Sequence, residues 1–350
     1  MTTQRISGER GLPSLNQARA ERQRRMAAGR FGLRGQLMPH FWLWTGVVLA
    51  TFSVIYWKIA QGKLLSQKSA VMAKQRAVAH TLTPAVVPYR DRIEAWVQEL
   101  AGPWQGDRVD RSAELGVVQT APGVYLRLRI DNAHEAKRIR KAAEVSLHDG
   151  FVSCMFIRAG APDPSQGPPC KSPGDCAPGL LCNEYDVCSV PPKPYNLRLA
   201  YRALRVLSTD WTDELHLSNN DLEVRLRERD LERVAHDDVP IAVQMFQSAR
   251  YFTLVLDEDP KGGLPAPLDK KETDEQRVQR APHAARVAVW EFSSGRQLVR
   301  LRREAAARAV PVGERSAEQH SEAAQQRQVN SCALALAVKE GWRAAAQPSP

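Results

Sequence analysis

The feature that most restricts what this chain can become is residues 41–57, FWLWTGVVLATFSVIYW, seventeen residues with no charge and aromatic at both ends. At about 1.5 Å of rise per residue, a helix of these residues plus Ile59 and Ala60 reaches roughly the 30 Å of a hydrocarbon core, and Lys58 can snorkel to the interface. Trp42 and Trp44 at one end and Tyr56 and Trp57 at the other match interfacial aromatic belts. A buried core helix would show a polar face. Here only Thr45, Thr51 and Ser53 interrupt the apolar surface, and each can bond back to its own helix. The sequence therefore predicts a single N-terminal transmembrane helix over residues 41–60.

The net charge of +10 suggests nucleic acid until it is located. Residues 1–40 hold eight Arg against Glu9 and Glu21, which gives +6, and residues 58–80 add Lys58, Lys63, Lys68, Lys74 and Arg76 without an acid, which gives +5. Residues 81–350 therefore sum to −1. The basic charge flanks the span, where it suits a lipid bilayer with anionic headgroups, and no nucleic-acid partner is expected. Residues 1–40, rich in Gly and Arg, read as a flexible cytoplasmic tail. The 37 Arg against 12 Lys, with abundant Ala, suggest a GC-rich bacterial genome.

Beyond the span, Trp57, Leu64, Val71 and Val78 recur every seven residues beside Leu65, Met72 and Ala79, a juxtamembrane stalk over 61–83 that Pro84 and Pro88 are expected to end. Two copies could associate weakly through residues 57–79, or a single helix could lie on the folded domain. A short helix with Ile93, Trp96, Val97 and Leu100 on one face follows. LGVVQT and GVYLRLRI then read as a hairpin, with Arg127 and Arg129 on a solvated face. After a helix through Ile139 and Ala143, FVSCMFI (151–157) reads as a strand. Further on, YNLRLAYRALRVL is helical, Asp210 and Asn220 are candidate helix caps, and Asp238 with Pro240 opens another helix. YFTLVLDED is a strand ending in the solvated acids Asp257, Glu258 and Asp259; residues 260–283 are a loop. ARVAVWEF and QLVRLRRE form a hairpin around Ser293-Ser294-Gly295-Arg296. Residues 311–327 read as a mobile polar segment before a last helix with Cys332, Leu336 and Lys339 on one stripe. The intermixed elements suit an α+β domain over 84–350.

The most specific motif is PPCKSPGDCAPGLLCNEYDVCSVPP, within an insertion at 162–194. Cys170, Cys176, Cys182 and Cys188 recur at a spacing of six, whereas structural zinc sites favour pairs two to four apart. Four Cys in a segment poor in apolar residues read as a disulfide-stapled knob. The spacing and the central DCAPGLLC resemble the short Cys-rich units of secreted and envelope proteins of myxobacteria and their relatives, and more distantly Dickkopf-like cysteine-rich modules. That resemblance covers nineteen residues and implies an exported setting, with no catalytic residue attached.

Charge counts on the two sides of the span tie, so the cysteines decide orientation: disulfides require an oxidising compartment, which places the domain in the periplasm and the tail in the cytoplasm at the inner membrane. Cys154 and Cys332, left after the knob pairs internally, are expected to bridge and tie the C-terminal helix to the first sheet. No GxSxG, SxxK, HExxH, P-loop or GxGxxG motif occurs, and no two His lie three or four residues apart. No catalytic residue, cofactor or metal site is expected. Two classes of function remain: a membrane-anchored envelope protein whose periplasmic domain binds a partner protein or ligand or acts as a scaffold, and a membrane-tethered periplasmic hydrolase with a site assembled from distant residues.

Overall fold

The computed structural model of the chain describes residues 19–24, 39–147, 149–156, 166–171, 175–177, 180–182, 186–189, 194–307 and 319–346; the side chains of 39–42, 181 and 319–321 lie outside that description. The chain divides into two units, Met1–Ser66 and Gln67–Pro350. Helix α1 (Pro39–Ala101) belongs to both. In the first unit its apolar residues are uncovered: Leu49 is 62% exposed and Phe52 66%. One 18-residue window has a mean hydropathy of 1.4, and none of it is buried, so the helix is long and apolar enough to cross a membrane.

Pro84 and Pro88 lie inside α1 and do not end it, contrary to the sequence expectation. An interior proline costs a helical hydrogen bond, but Leu82, Val86, Ile93 and Val97 are all fully buried, and burial of that face outweighs the lost bond. Within the second unit the heptad seam is used by the same chain. Val71 is buried, and the Gln75 amide donates to the Val206 carbonyl at 2.6 Å.

The second unit is α+β. Its elements in order are β1 (Arg108–Val109), α2 (Leu115–Thr120), β2 (Gly123–Arg129), α3 (Ala136–Ala143), α4 (Gly150–Met155), β3 (Leu181–Cys182), β4 (Cys188–Ser189), β5 (Tyr195–Asn196), α5 (Arg198–Arg205), α6 (Thr209–Leu217), α7 (Asp221–Arg233), α8 (Val239–Ser248), β6 (Tyr251–Asp257), α9 (Asp274–Arg280), β7 (His283–Glu291), β8 (Gln297–Ala305) and α10 (Gln319–Ala346). A mixed six-stranded sheet has the order β1-β8-β7-β6-β2-β5. β2 runs parallel to both β6 and β5, and the other pairings are antiparallel.

Strand alternation sends Phe252 and its partner Trp290 to one face, where Trp96 of α1 stacks on both rings at 6.1 and 5.5 Å. The other face carries Tyr125, Val255, Val287 and Val299 beneath α4 and α10, which contribute Phe151, Met155, Leu334, Val338 and Trp342 to the same core. The Arg286 guanidinium reaches from the first face to the Leu100 and Gly102 carbonyls at 2.9 and 2.5 Å, capping the C-terminus of α1.

Several elements differ from their sequence reading. LGVVQT is helix α2, because both edges of β2 are already taken by β6 and β5 and no hairpin partner fits. FVSCM lies in helix α4: an apolar run this short suits a buried helix as well as a strand, and the Asp149 carboxylate caps it by accepting from the Phe151 and Val152 amides at 3.0 and 3.4 Å. Gly150 sits so close to α10 that an added Cβ would stand 2.3 Å from the Gln328 carbonyl oxygen. Residues 274–280 form α9 with a complete capping box from Thr273 and Gln276, where a loop was expected. Ser208, not Asp210, caps α6, whereas Asn220 caps α7 as expected. A π turn at Val234–Asp238 joins α7 to α8, so Asp238 is no side-chain cap. α10 already begins at Gln319, inside the stretch read as mobile, and its buried stripe is Leu334, Ala335, Val338 and Trp342, with Leu336 57% exposed. Residues 311–318 lie outside the described residues.

Replacing Trp96 with Ala removes a ring stacked on two others in a closed core, and the expected loss is about 3–5 kcal/mol. Leu65→Ala, at a position 65% exposed, should change stability by no more than about 0.5 kcal/mol. Urea unfolding of the detergent-solubilised chain measures both; equal effects would contradict the packing.

Candidate functional site

Adjacent parallel strands place Arg127 of β2 beside Asp257 of β6 on the face covered by α4 and α10. Both were read as solvated, and both are buried: each side chain is 2% exposed. The fork of the guanidinium meets the Asp257 carboxylate through Nε–Oδ2 and Nη2–Oδ1 bonds, both 2.8 Å. Its remaining nitrogen, Nη1, donates to Asp149 and, at 2.8 Å, to the Ser331 hydroxyl of α10. The Tyr125 hydroxyl donates to Asp149 at 3.2 Å. His283 of β7 approaches Asp257 through Nε2 at 3.0 Å and the Ala281 carbonyl through Nδ1 at 2.8 Å. Arg129, two residues along and 10% exposed at its side chain, binds Asp131, Asp259 and Asp274. Glu258 holds Arg286 and Arg302 at 2.6 Å each.

Burial by itself would raise the Asp257 carboxyl, but the Arg127 guanidinium and His283 overcome it and hold the group well below the usual carboxylate range. Burial would likewise disfavour charge on Arg127; the Asp257 and Asp149 carboxylates reverse that and push it well above its ordinary value. Burial, with Asp149 alongside, pushes the Tyr125 phenol up, so it stays a neutral donor. The His283–Asp257 pair has the parts of a base and its orienter, yet the His283 side chain is 0% exposed and its two partners occupy both nitrogens. A substrate cannot reach it. The network is a clamp between layers.

Over the clamp lies a cavity of ≈ 270 Å³. Arg127, Asp149 and Ser331 line its floor, α9 contributes Glu275 and Gln279, and α10 contributes Arg327 and Gln328. Ala142, Val145 and Leu147 form an apolar side, with Val145 66% and Leu147 60% exposed. Glu275 accepts one hydrogen bond, from Asn132 at 2.8 Å. Arg327 and Gln328 have no side-chain hydrogen bond or ion pair among the described residues. A second, shallower concavity of ≈ 470 Å³ lies between α6 and α7, with Leu217 73% and Leu226 54% exposed at its rim.

The cysteines form three disulfides. Cys170–Cys182 and Cys176–Cys188 cross one another with Cα separations of 5.8 and 5.5 Å, and Cys154–Cys332 joins α4 to α10 at 5.3 Å. The knob's small core is Cys170, Cys176 and Cys188 with Leu180 and Cys182 packed on it. The Sγ atoms of Cys170, Cys176 and Cys188 fall within 4.8 Å of one another, a spacing a metal site would also show, but all are oxidised and no described cysteine is free to ligate. In the first unit Trp44 is 70% exposed, Tyr56 76% and Trp57 54%, and Lys58 Nζ stands 5.5 Å from the Trp57 ring centroid. The side chain of Trp42 lies outside the described residues. The clamp and cavity were not found in the sequence; the one trace was polar residues ending two strand-like runs, GVYLRLRI and YFTLVLDED. Comparison with protein families, curated proteins and solved structures found no match to this chain.

Replacing Arg127 with Met strands the buried Asp257 carboxylate and the half-buried Asp149, at an expected cost of roughly 3–5 kcal/mol. Because the Asp257 pKa is depressed in the fold, its contribution is present above the unfolded carboxylate value of about 3.9 and is lost as pH falls towards the folded one. The wild-type unfolding midpoint should therefore drop more steeply between about pH 5 and pH 3 than that of Asp257→Asn. Identical acid slopes would remove Asp257 from the account.

Proposed function

We propose that this chain is a single-pass envelope protein of the bacterial inner membrane: residues 1–40 lie in the cytoplasm, residues 41–60 cross the bilayer, and the α+β domain in the periplasm serves as a binding or scaffold module. The observation that carries the proposal is the pairing of an apolar helical segment with none of its hydropathic window buried among the described residues and a domain whose six cysteines all form disulfides. The exposed aromatics Trp44, Tyr56 and Trp57 beside Lys58 suit membrane interfaces. The resemblance of the knob to envelope Cys-rich units points to the same compartment.

A binding role suits the site better than hydrolysis. The carboxylate–histidine pair is sealed, whereas Gln328, Leu217 and Leu226 are exposed and neither Arg327 nor Gln328 makes a side-chain hydrogen bond or ion pair among the described residues. Topology is testable directly. Alkaline phosphatase, which needs disulfides, should be active when fused after residue 350 and inactive when inserted within residues 1–35; the opposite pattern refutes the orientation. Affinity capture of the full-length protein from solubilised membranes should retain an envelope protein, and retention of none would count against a scaffold.

A further inference from the structure

We infer that the cavity between α3, α9 and α10 binds an apolar α-amino acid through its α-carboxylate, either free or as the C-terminal residue of a peptide; this rests on the binding-module reading and names its ligand. Three observations converge. The first is charge: Arg327 lines the cavity with a guanidinium that makes no hydrogen bond or ion pair among the described residues and acts on the Glu272 carboxylate only at longer range, while Arg127, Asp149 and Ser331 beneath it are saturated by one another. A guanidinium lining a polar cavity with its hydrogen-bond donors unused among the described residues is a fork for a carboxylate. The second is polarity opposite in sign: Glu275 lines the same cavity and accepts one hydrogen bond, from Asn132, which leaves acceptor capacity for an ammonium group. The third is the apolar side, where Val145 and Leu147 are more than half exposed next to Ala142. Each is an ordinary surface residue alone, but together they put apolar side chains and opposite charges on the lining of one cavity. A volume of ≈ 270 Å³ lies below the range of about 300–1,000 Å³ that holds drug-sized ligands, so it suits one residue.

The scaffold makes the arrangement stiff. Arg327 and Gln328 stand one turn before Ser331 and Cys332 on α10, so the clamp and the Cys154–Cys332 bridge fix the helix that carries them. None of the proposed contacts belongs to the core, and their removal leaves the fold in place.

The test is calorimetric titration of the full-length, oxidised, detergent-solubilised protein with leucine, N-acetyl-leucine, leucinamide, glycine and the tripeptide Ala-Ala-Leu. Leucine or the tripeptide should bind, glycine at least about tenfold more weakly, and Arg327→Gln should weaken every carboxylate-bearing probe by about tenfold or more. If free amino acids are the source, Glu275→Gln and N-acetylation each weaken binding; if peptide ends are, the tripeptide binds tighter than leucine and Glu275→Gln leaves it unchanged. Val145→Ser with Leu147→Ser should reduce the preference for leucine over glycine. Unchanged melting temperatures confirm that the variants fold. The inference is overturned if no probe binds at about 10 mM, if leucinamide binds as well as leucine, or if Arg327→Gln binds like the wild type. A variant lacking Arg327 that still captures an envelope protein would leave the binding-module reading intact while this site fell.

Discussion

The second unit of this fold depends on one buried guanidinium. Arg127 sits on a central strand, and its bonds to Asp257, Asp149 and Ser331 connect β2 to β6, to the start of α4 and to α10. Taking a guanidinium and two carboxylates out of water is costly, and in a low dielectric the cost is recovered only when every donor is met. Here each of the three guanidinium nitrogens has an acceptor, His283 adds a further donor to Asp257, and the second carboxylate also serves as the helix cap of α4. The same geometry that lowers its cost makes it specific. A slip of one residue in the parallel pairing of β2 with β6 would turn either Arg127 or Asp257 to the opposite face, where Trp96, Phe252 and Trp290 pack.

What was legible in the sequence was what local pattern controls. The β7–β8 hairpin shows alternation on both arms and a turn in which Gly295 takes a φ of +69°, a conformation glycine adopts without strain. Asn220 caps α7 through the Glu223 amide, as its position before an acidic first turn implies. Failure began where partners were distant. Arg127 and Asp257 stand 130 residues apart, so nothing near either one indicates that a carboxylate or guanidinium awaits it. FVSCMFI has the composition of a buried strand, and the helical state of FVSCM within it follows from the Asp149 cap and from α10 lying above it. Pro84 and Pro88 are strong local stop signals overridden by burial of Leu82 and Val86.

The disulfides divide labour in a way the spacing of cysteines partly foretold. Two crossed bridges, each spanning 12 residues, hold a knob whose interior is mostly sulfur. In the chain-entropy account each is worth on the order of 3 kcal/mol, which stands in for the apolar core that so few residues cannot build. The third bridge spans 178 residues and adds no interior of its own, for Cys154 is only packed against the edge of an existing core. Its effect is positional, holding α4 against α10.

That positioning bears on where recognition can occur. On α10 the residues that meet the sheet, Leu334, Val338 and Trp342, occupy its second half, with Trp342 Nε1 bonded to the Ala113 carbonyl at 2.8 Å. Asn330, Ser331 and Cys332 form a belt at its middle: Asn330 ties the helix to the Gln279 carbonyl of α9, Ser331 to Arg127, and Cys332 to α4. Arg327 and Gln328 come immediately before that belt. They are therefore anchored at the backbone, and their side chains make no hydrogen bond or ion pair among the described residues, so a ligand meeting them need order only the side chains and finds their hydrogen-bonding capacity still available. By contrast, Lys74 is paired with Glu228 and Glu232, and Arg302 with Glu258.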